Sequence, residues 1–448
     1  MKYIVISLIV ISMITIPYSV HGVAPYIIYG ISLISLFGVF LKVPGSELLL
    51  VAIALCLPLG MSSTGVVFPE VNRMKNAFQT ILMLIPFISG YILLQRKNIE
   101  SKQILTLMIL MALLGAFFAI LTRDLNEFLR LFRGVALTFG FFVLCYYDKK
   151  ISIEDVFVCF DILFIISLYY GISDFLFHNS PYQYMTEATL SLNYGRARGI
   201  LGHALFLSGL AIIYQSIIFI RYMITNKFNY VQEFLCIIMA LIVISRTTAI
   251  VMFVEFLLFF MFNFGKKKLK FLVLNIIVIS IISYFVMFFG SDIVKTLLIR
   301  FEDTEESHRL SAYSATLKLF SHNPIGVGYE HIMQEIIRGH YYSYGFSKYF
   351  TTLDNYFLTQ LAAYGIFASL TVYSYFYFLI KAIKQKIKFP LLFKVMILLY
   401  VPFILQSFTF NWDSSIFLCL MLFGLTGYLY RYIKLLKINE IISNSNNL

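Results

Sequence analysis

Four arginines in three separate segments have the residue type and the surroundings of a phosphate-binding site. Arg196 and Arg198 lie in the run 193–203, where glycines precede an apolar span. Arg246 occupies a tight turn between two apolar spans, and Arg309 lies within a long polar segment. Guanidinium groups match the geometry of phosphate oxygens, and the free N–H groups of a helix start attract an anion. The alternative for these arginines is ordinary surface charge, and for Arg246 it is an ion pair with a loop carboxylate.

Glycines and one histidine accompany these arginines. Gly199 would let the backbone approach a ligand closely, and His203 is either an interior histidine with its own partners or a part of the site. Alanines and a leucine recur at helical spacing after Arg309, which predicts an amphipathic helix. Asn323-Pro324 ends that pattern, and Gly326 and Gly328 predict a tight turn with an architectural role.

Two further residues could act on a hydroxyl group. Asp354 stands before Asn355, where apolar sequence resumes. An Asp at a helix start is most often an N-cap, and the alternative is a general base or an orienter of an acceptor hydroxyl. His340 lies nearby in the polar segment and could take the same role. The sequence contains no Walker motif, HExxH, GxSxG or metal-ligand cluster, so no cofactor and no metal are expected.

Composition indicates the elements that must position these residues. The chain of 448 residues is 60% hydrophobic and 13% charged, with a mean hydropathy of +0.84. Continuous apolar runs of about 20 residues predict an all-α polytopic membrane protein with about 12–14 transmembrane helices. Residues 1–291 and 354–448 are expected to carry these helices, with a tail at the end. Between them, residues 292–353 form one large polar loop.

Charge predicts the topology. The net charge is +12, and five short loops between apolar spans and the tail are basic. With the predicted spans these loops all fall on one side, taken as cytoplasmic, so both termini are cytoplasmic and loop 292–353 lies outside. Nucleic-acid binding is not expected, because no basic soluble domain exists. The positive balance suits membrane lipids and lipid-diphosphate ligands.

Other polar and sulfur-bearing residues have simpler interpretations. The five cysteines lie in apolar segments without metal-type spacing, which predicts small structural side chains. Asp161 and Asp174 share one apolar span and could suit an ion pathway. No further carboxylate or basic partner within the membrane is expected to extend them, and Asp174 is expected near a hydrated end of its span.

In this order, the motifs resemble those of the O-antigen polymerase and O-antigen ligase superfamily of bacterial inner membranes. The resemblance covers roughly residues 190–370. The matching residues are Arg196 with Gly199, Gly202 and His203; Ser245-Arg246; Arg309; the run 323–328; and Asn355 with Gly365. Two positions depart from the pattern: Ala204-Leu205 replaces a Pro-Asn, and Asp354 stands where ligases of this group carry His. The Asp favours a polymerase.

The resemblance implies a fold of the membrane glycosyltransferase type C kind and a site on the periplasmic face. The substrate would be an undecaprenyl-diphosphate-linked oligosaccharide, and a chain-length regulator protein would be a partner. Arg196, Arg246 and Arg309, with Arg198, would bind the diphosphate, while Asp354 or His340 would position the acceptor. An O-antigen ligase acting on lipid A-core and a non-enzymatic lipid-linked oligosaccharide flippase remain as alternatives. The large loop counts against the flippase.

Overall fold

A computed structural model describes most of the chain. The described residues are 2–15, 24–41, 43–56, 78–96, 98–148, 150–177, 197, 199–201, 204–243, 245–263, 305–341, 355–409 and 415–445. Within these ranges the backbone alone is described for residues 2–5, 13–15, 24–29, 56, 246, 305–311 and 440–445. Nearly all described residues are helical or lie in the turns between helices.

The helices follow one another in chain order. They are α1 (Lys2–Thr15), α2 (Ala24–Phe40), α3 (Ser46–Cys56), α4 (Ile85–Leu94), α5 (Ile99–Thr122), α6 (Leu125–Val135), α7 (Phe141–Tyr147), α8 (Ile153–Phe177), α9 (Ala204–Thr225), α10 (Tyr230–Val243), α11 (Arg246–Phe262), α12 (Glu305–His322), α13 (Ile332–Arg338), α14 (Tyr356–Tyr364), α15 (Ala368–Lys384), α16 (Pro390–Ser407) and α17 (Ile416–Ser445). A π-helical segment, Ala136–Gly140, joins α6 to α7 without a break. Short 3₁₀ segments occur at Gly199–Leu201 and Gly365–Phe367.

Length and hydropathy make this a multi-pass membrane protein. Among the described residues, seven helical stretches of 18 residues or more are apolar enough to cross a bilayer, and five apolar helices of 10 to 17 residues accompany them. The predicted all-α architecture is therefore confirmed. The predicted total of about 12–14 spans includes the apolar segment 270–289, which lies outside the described residues.

Two helices form the centre of the bundle. In α9 and in the apolar part of α17, 89% of the hydrophobic window is buried inside the protein. In α5 the share is 33%, and side chains such as Leu113 and Ile120 are exposed. An apolar side chain that the protein leaves exposed suits the hydrocarbon of a bilayer. Helix α5 therefore lies at the periphery, and α9 and α17 lie in the core.

Ionic contacts join several of the basic loops at one end of the bundle. Glu100, at the start of α5, binds Lys381 at 2.8 Å and Lys434 at 2.7 Å. Arg431 donates to the carbonyl of Ile151 at 2.7 Å. Segments that are far apart in sequence thus meet at the same end, in keeping with the predicted one-sided distribution of basic loops. We refer to the opposite end, where α9 and α11 begin and α16 ends, as the motif end.

The described part of the predicted large loop is well structured. Helix α12 buries Ala312, Ala315 and Leu319, which confirms the amphipathic helix predicted from their spacing. The helix ends at His322, directly before Asn323-Pro324, as predicted. Pro suits a position just after a helix, because it cannot continue the hydrogen-bond ladder.

The expectation of isolated intramembrane carboxylates is wrong. Asp161 accepts hydrogen bonds from Arg221 at 2.9 Å and from the Tyr214 hydroxyl at 2.6 Å. Glu233 on α10 and Glu255 on α11 are both buried in the bundle. Glu233 and Glu255 escaped sequence reasoning because each is a single carboxylate on a mostly apolar helix.

Candidate functional site

The predicted site residues differ in how much of them the structure describes. Four lie outside the described part of the chain: Arg196, Arg198, His203 and Asp354. Arg246 and Arg309 are described by their backbone alone. The described neighbours of each motif nevertheless show which helices hold it.

The first motif is anchored through Ala197 and Gly199. The Ala197 amide donates to the carbonyl of Ile242, near the end of α10, at 3.0 Å. The Gly199 amide donates to Asp174 of α8 at 3.0 Å. Ala197 lies between the two arginines of the motif, so this anchor ties their segment to the hairpin that carries Arg246.

Gly199 and Asp174 have roles that differ from those expected. Asp174 is buried, whereas the sequence predicted a hydrated position. Its carboxylate accepts the hydrogen bond from the Gly199 amide. Gly199 has φ +53°, and an added Cβ would lie 3.2 Å from the Gly171 nitrogen of α8. The close approach that this glycine permits is therefore to a neighbouring helix, while a ligand contact at Gly199 stays a prediction.

The second motif begins α11. Ser245 is its N-cap, with the hydroxyl accepting from the Thr248 amide at 3.4 Å, and Arg246 is the first helical residue. The Thr248 hydroxyl pairs with that of Ser208 on α9, and the Gln406 side-chain amide on α16 donates to Ser208 at 3.0 Å. This buried network links the starts of α9 and α11 to the end of α16.

Asn355 connects the last motif to the same place. Its side-chain oxygen accepts from the Leu358 amide at 3.0 Å, and its side-chain nitrogen donates to the Phe408 carbonyl at 3.1 Å. Asn355 is thus the N-cap of α14, and the expectation that Asp354 caps this helix is wrong. The physical reason is that Asn355 has the extended backbone of a cap (φ −137°, ψ 115°), so the helix begins one residue later.

The third motif reaches this point through Tyr313. The Tyr313 hydroxyl donates to the Phe408 carbonyl at 3.2 Å. Arg309 precedes Tyr313 by four residues on α12, so the two positions lie on the same side of that helix. The Arg309 position is therefore about one turn from the contact that Asn355 also makes.

The motif segments therefore meet around the end of α16, at Gln406 and Phe408. Three helices start there: α9, α11 and α14. The first N–H groups of a helix have no partner within it and carry partial positive charge. Three such starts, on segments that also carry the arginines, form an environment suited to a large anion.

The glycine run 323–328 has the architectural role that the sequence predicted. The amides of Val327 and Gly328 donate to the carbonyls of Ala362 and Ala363, at the end of α14, at 3.2 and 2.9 Å. Gly326 has φ +98°, and an added Cβ would lie 2.4 Å from the Ala363 oxygen. The run thus caps the carboxyl end of α14 by backbone contact, which satisfies carbonyls that the helix itself leaves open.

Helix α6 holds the turn that follows the glycine run. Glu127 accepts from the Glu330 amide at 2.8 Å, and Arg130 pairs with the Glu330 carboxylate at 3.1 Å. Arg130 also lies over the ring of Tyr329. We name the three charged residues of this region, Asp124, Glu127 and Arg130, the α6 clamp; Asp124 lies 3.7 Å from His331.

Sequence reasoning missed most of the α6 clamp. The sequence analysis did not connect Asp124, Glu127 and Arg130 with one another or with the loop. The signal that could have found them is the spacing of three charged residues at intervals of three, which places them on one face of a helix. Such a charged face next to a membrane needs partners, and here the loop supplies them.

His340 lies apart from the contacts described so far. It follows α13, is exposed, and has φ +51°. Its backbone amide donates to the Ile337 carbonyl at 3.1 Å. Its proposed catalytic role stays a prediction. The four cysteines whose side chains are described, Cys145, Cys159, Cys236 and Cys419, are buried and form no disulfide, in agreement with a structural role.

Comparison with known proteins gives one match. No curated protein is similar to this chain. Residues 234–373 match the family model described as O-antigen ligase. The matched segment contains the Arg246 hairpin, α12, the glycine run and Asn355. This match agrees with the resemblance drawn from the motifs, and it shows that residues 234–373 are similar to that family.

Proposed function

We propose that this protein is a polysaccharide polymerase, a glycosyltransferase that moves a growing chain from undecaprenyl diphosphate onto a new lipid-linked repeat unit. The observation that carries the proposal is the meeting of the Arg246, Arg309 and Asn355 segments around the end of α16, with the Arg196 segment bonded to the Arg246 hairpin through Ala197. A polar site at the end of a membrane bundle is where a lipid-linked diphosphate would present its head group. The motif end would then face the periplasm, with both termini in the cytoplasm.

The chemistry needs an anion-stabilising site more than a cofactor. A sugar hydroxyl of the acceptor attacks the anomeric carbon of the donor, and the bond from that carbon to the diphosphate oxygen breaks. The leaving diphosphate keeps the electron pair, so Arg196, Arg198, Arg246 and Arg309 would stabilise it together with the helix starts. The acceptor proton passes to a base, for which Asp354 and His340 are the candidates.

Asp354 is the better candidate for the base. Asn355 already caps α14, so capping gives no reason for a carboxylate at the preceding position. Its neighbour Asn355 contacts Phe408, at the end of α16 around which the motif segments meet. A carboxylate one residue earlier in the chain would be close to that centre.

An O-antigen ligase that transfers the chain to lipid A-core is the second candidate. The description of the matching family model favours it. The Asp at 354, where ligases of the resembling group carry His, favours the polymerase. The two functions share the donor and differ in the acceptor.

The purified protein, supplied with lipid-linked single repeat units in detergent, tests the proposal. A polymerase produces a ladder of longer lipid-linked chains without any other acceptor. If no ladder forms, but the repeat moves onto added lipid A-core, the protein is a ligase. A lipid-linked substrate that is neither lengthened nor transferred would favour a flippase.

In cells, the lipopolysaccharide of a deletion strain distinguishes a polymerase from a ligase independently. Loss of the polymerase leaves lipid A-core with a single repeat unit, while loss of the ligase leaves long chains on the lipid carrier. The proposed chain-length regulator would show itself as a change in the ladder when it is added to the purified polymerase.

A further inference from the structure

A cleft opens between α5 and α15, at the end of the bundle opposite the motif end. Its cavity has a volume of about 540 Å³. One wall contains Lys102 and Thr106 of α5, and the other contains Tyr373, Tyr377 and Lys384 of α15. Within each wall these residues recur at helical spacing, so each set lies on one face of its helix. Two helix faces therefore enclose one cavity.

The mouth of the cleft is positively charged. Lys102 and Lys384 are exposed there, and neither forms an ion pair within the described part of the chain. Lys381 also lines the cleft and is bound by Glu100, a carboxylate that Lys434 shares. Among the described residues that line the cleft, none carries a carboxylate. The lysines of the mouth therefore leave an excess of positive charge.

Hydrogen bonds hold the two walls together below the mouth. The Lys381 Nζ donates to the Tyr377 hydroxyl at 3.3 Å, and that hydroxyl donates to the Gln103 Oε1 at 3.2 Å. Gln103 also lines the cleft and is exposed. Because its oxygen is used by Tyr377, its side-chain nitrogen is left as a donor that a ligand in the cleft can use.

The cleft becomes apolar with depth. Leu107 and Tyr373 line it, and Tyr373 lies eleven residues before Lys384, or about 16 Å deeper in the bundle. Leu110 and Leu113 continue the face of α5 that carries Thr106, and they are 42% and 61% exposed. The deep part of the cleft thus continues into a surface suited to the hydrocarbon of the bilayer.

We propose that this cleft binds one anionic phospholipid from the leaflet at this end, which is the cytoplasmic leaflet in the predicted topology. Lys102, Lys384 and Gln103 would hold the phosphate of the head group, and an acyl chain would lie along Leu107 and Tyr373. Basic pockets between transmembrane helices suit acidic lipid head groups. A soluble anion would leave the apolar part of the cleft unfilled, and a lipid without net charge would leave the lysines unbalanced.

This lipid would differ in position and in role from the proposed diphosphate substrate, which belongs at the motif end. Helix α5 lies at the periphery of the bundle, with 33% of its hydrophobic window buried. A lipid in contact with both walls would hold α5 against α15 without touching the reacting groups.

Native mass spectrometry of the full-length protein in detergent tests the site, because it counts bound lipids. The probes are phosphatidylglycerol and phosphatidylcholine with the same acyl chains. We expect one phosphatidylglycerol to bind in preference to phosphatidylcholine. Combining Lys102→Gln with Lys384→Gln should weaken its binding about thirtyfold, since each lysine beside an anionic lipid contributes a factor of roughly five. Thr106→Trp, which fills the groove and keeps the charges, should also remove this lipid.

Lys150→Gln combined with Lys386→Gln is the matched control. Both lysines are exposed at the same end of the bundle and lie outside the cleft, so the same charge is removed elsewhere. This variant should keep the bound phosphatidylglycerol. Equal weakening by the two double variants would overturn the proposal, because it would show attraction to diffuse surface charge.

Two measurements on the unmodified protein need no variant to fold. Phosphatidylcholine bound as tightly as phosphatidylglycerol would refute a site for an anionic lipid. Soluble glycerol phosphate should not displace the lipid, and displacement by it would show a phosphate site in which the apolar groove has no part. None of these measurements depends on the proposed enzymatic activity.

Discussion

At the scale of single residues, Asn355 has two tasks that can be separated by mutation. Its oxygen caps α14 and its nitrogen holds the Phe408 carbonyl. Asn355→Ala removes both contacts and should lower the free energy of unfolding by about 1–2 kcal/mol. Asn355→Asp keeps the cap and loses the donor, so it should cost less. Thermal unfolding in detergent measures both, and equal midpoints for the two variants would contradict this division.

Asp354 is expected to act in catalysis and not in folding. Asp354→Asn should slow chain elongation by about 10²–10⁴-fold, the usual contribution of a general base. The unfolding midpoint should stay unchanged, because Asn355 provides the cap. The rate of ladder formation is measured beside that of His340→Ala. If the Asp354 variant keeps full activity and the His340 variant loses it, the base is the histidine.

Replacement of Arg246 by lysine should lower the rate of chain elongation. It is the first residue of α11 and would add a guanidinium group to the free N–H groups of that helix start. Arg246→Lys keeps the charge but loses the paired donors, so elongation should fall at least about tenfold. Arg123→Lys is the control, since Arg123 is exposed at the end of α5. Equal activities of the two variants would favour a purely structural Arg246.

At the scale of elements, the contact between the glycine run and α14 decides whether the loop docks. Gly326→Ala should lower the free energy of unfolding by about 1–3 kcal/mol. Gly326 has a positive φ, and the added Cβ would lie 2.4 Å from the Ala363 oxygen. Gly90→Ala, on α4 with no atom within 4 Å of the added carbon, should be neutral or slightly stabilising. Thermal unfolding compares them. A Gly326 variant as stable as the Gly90 variant would refute the docking.

Elements were predictable where one segment determines them. Helix α12, its stop at Asn323 and the architectural glycines all follow from local pattern and turn chemistry. The cap of α14 was placed one residue early, since Asp and Asn are both good caps and adjacent here. Asn355, the residue that caps the helix, also donates a hydrogen bond to the Phe408 carbonyl. That contact joins residues far apart in sequence, so local patterns could not predict it.

At the scale of the whole molecule, mutations at the end of the bundle opposite the motif end should change stability and leave activity unchanged. Glu100 binds two lysines, so Glu100→Gln leaves two cations together and should cost about 1 kcal/mol. Elongation by the folded fraction should be unaffected. Glu335→Gln is the control. Glu335 forms one ion pair, at 3.4 Å, and its partner Arg338 is largely exposed, so the loss of this pair should cost little. Activity lost in the Glu100 variant at full stability would mean that the two ends are coupled.

The membrane architecture and the similarity of residues 234–373 to the O-antigen ligase family model could be predicted from the sequence, whereas the connections between motifs could not. Hydropathy determines the helices, and the order of the arginine, glycine and Asn355 motifs indicates the similarity. The meeting of these motifs at Gln406 and Phe408 depends on which helices pack together. Ser208 and Gln406 belong to no motif, and each is an ordinary polar residue in an apolar run until the fold brings them into contact with each other and with Thr248 of the Arg246 segment.

The α6 clamp has a consequence for how such proteins can diverge. Glu127 and Glu330 are 203 residues apart in sequence, yet the hydrogen bond between them, together with the Arg130–Glu330 ion pair, joins the transmembrane helix to the loop. A loop taken from a relative would arrive without its matching acidic and basic partners on α6. Loop 305–341 is therefore not an interchangeable module, and a working chimera needs Asp124, Glu127 and Arg130 to be exchanged along with it.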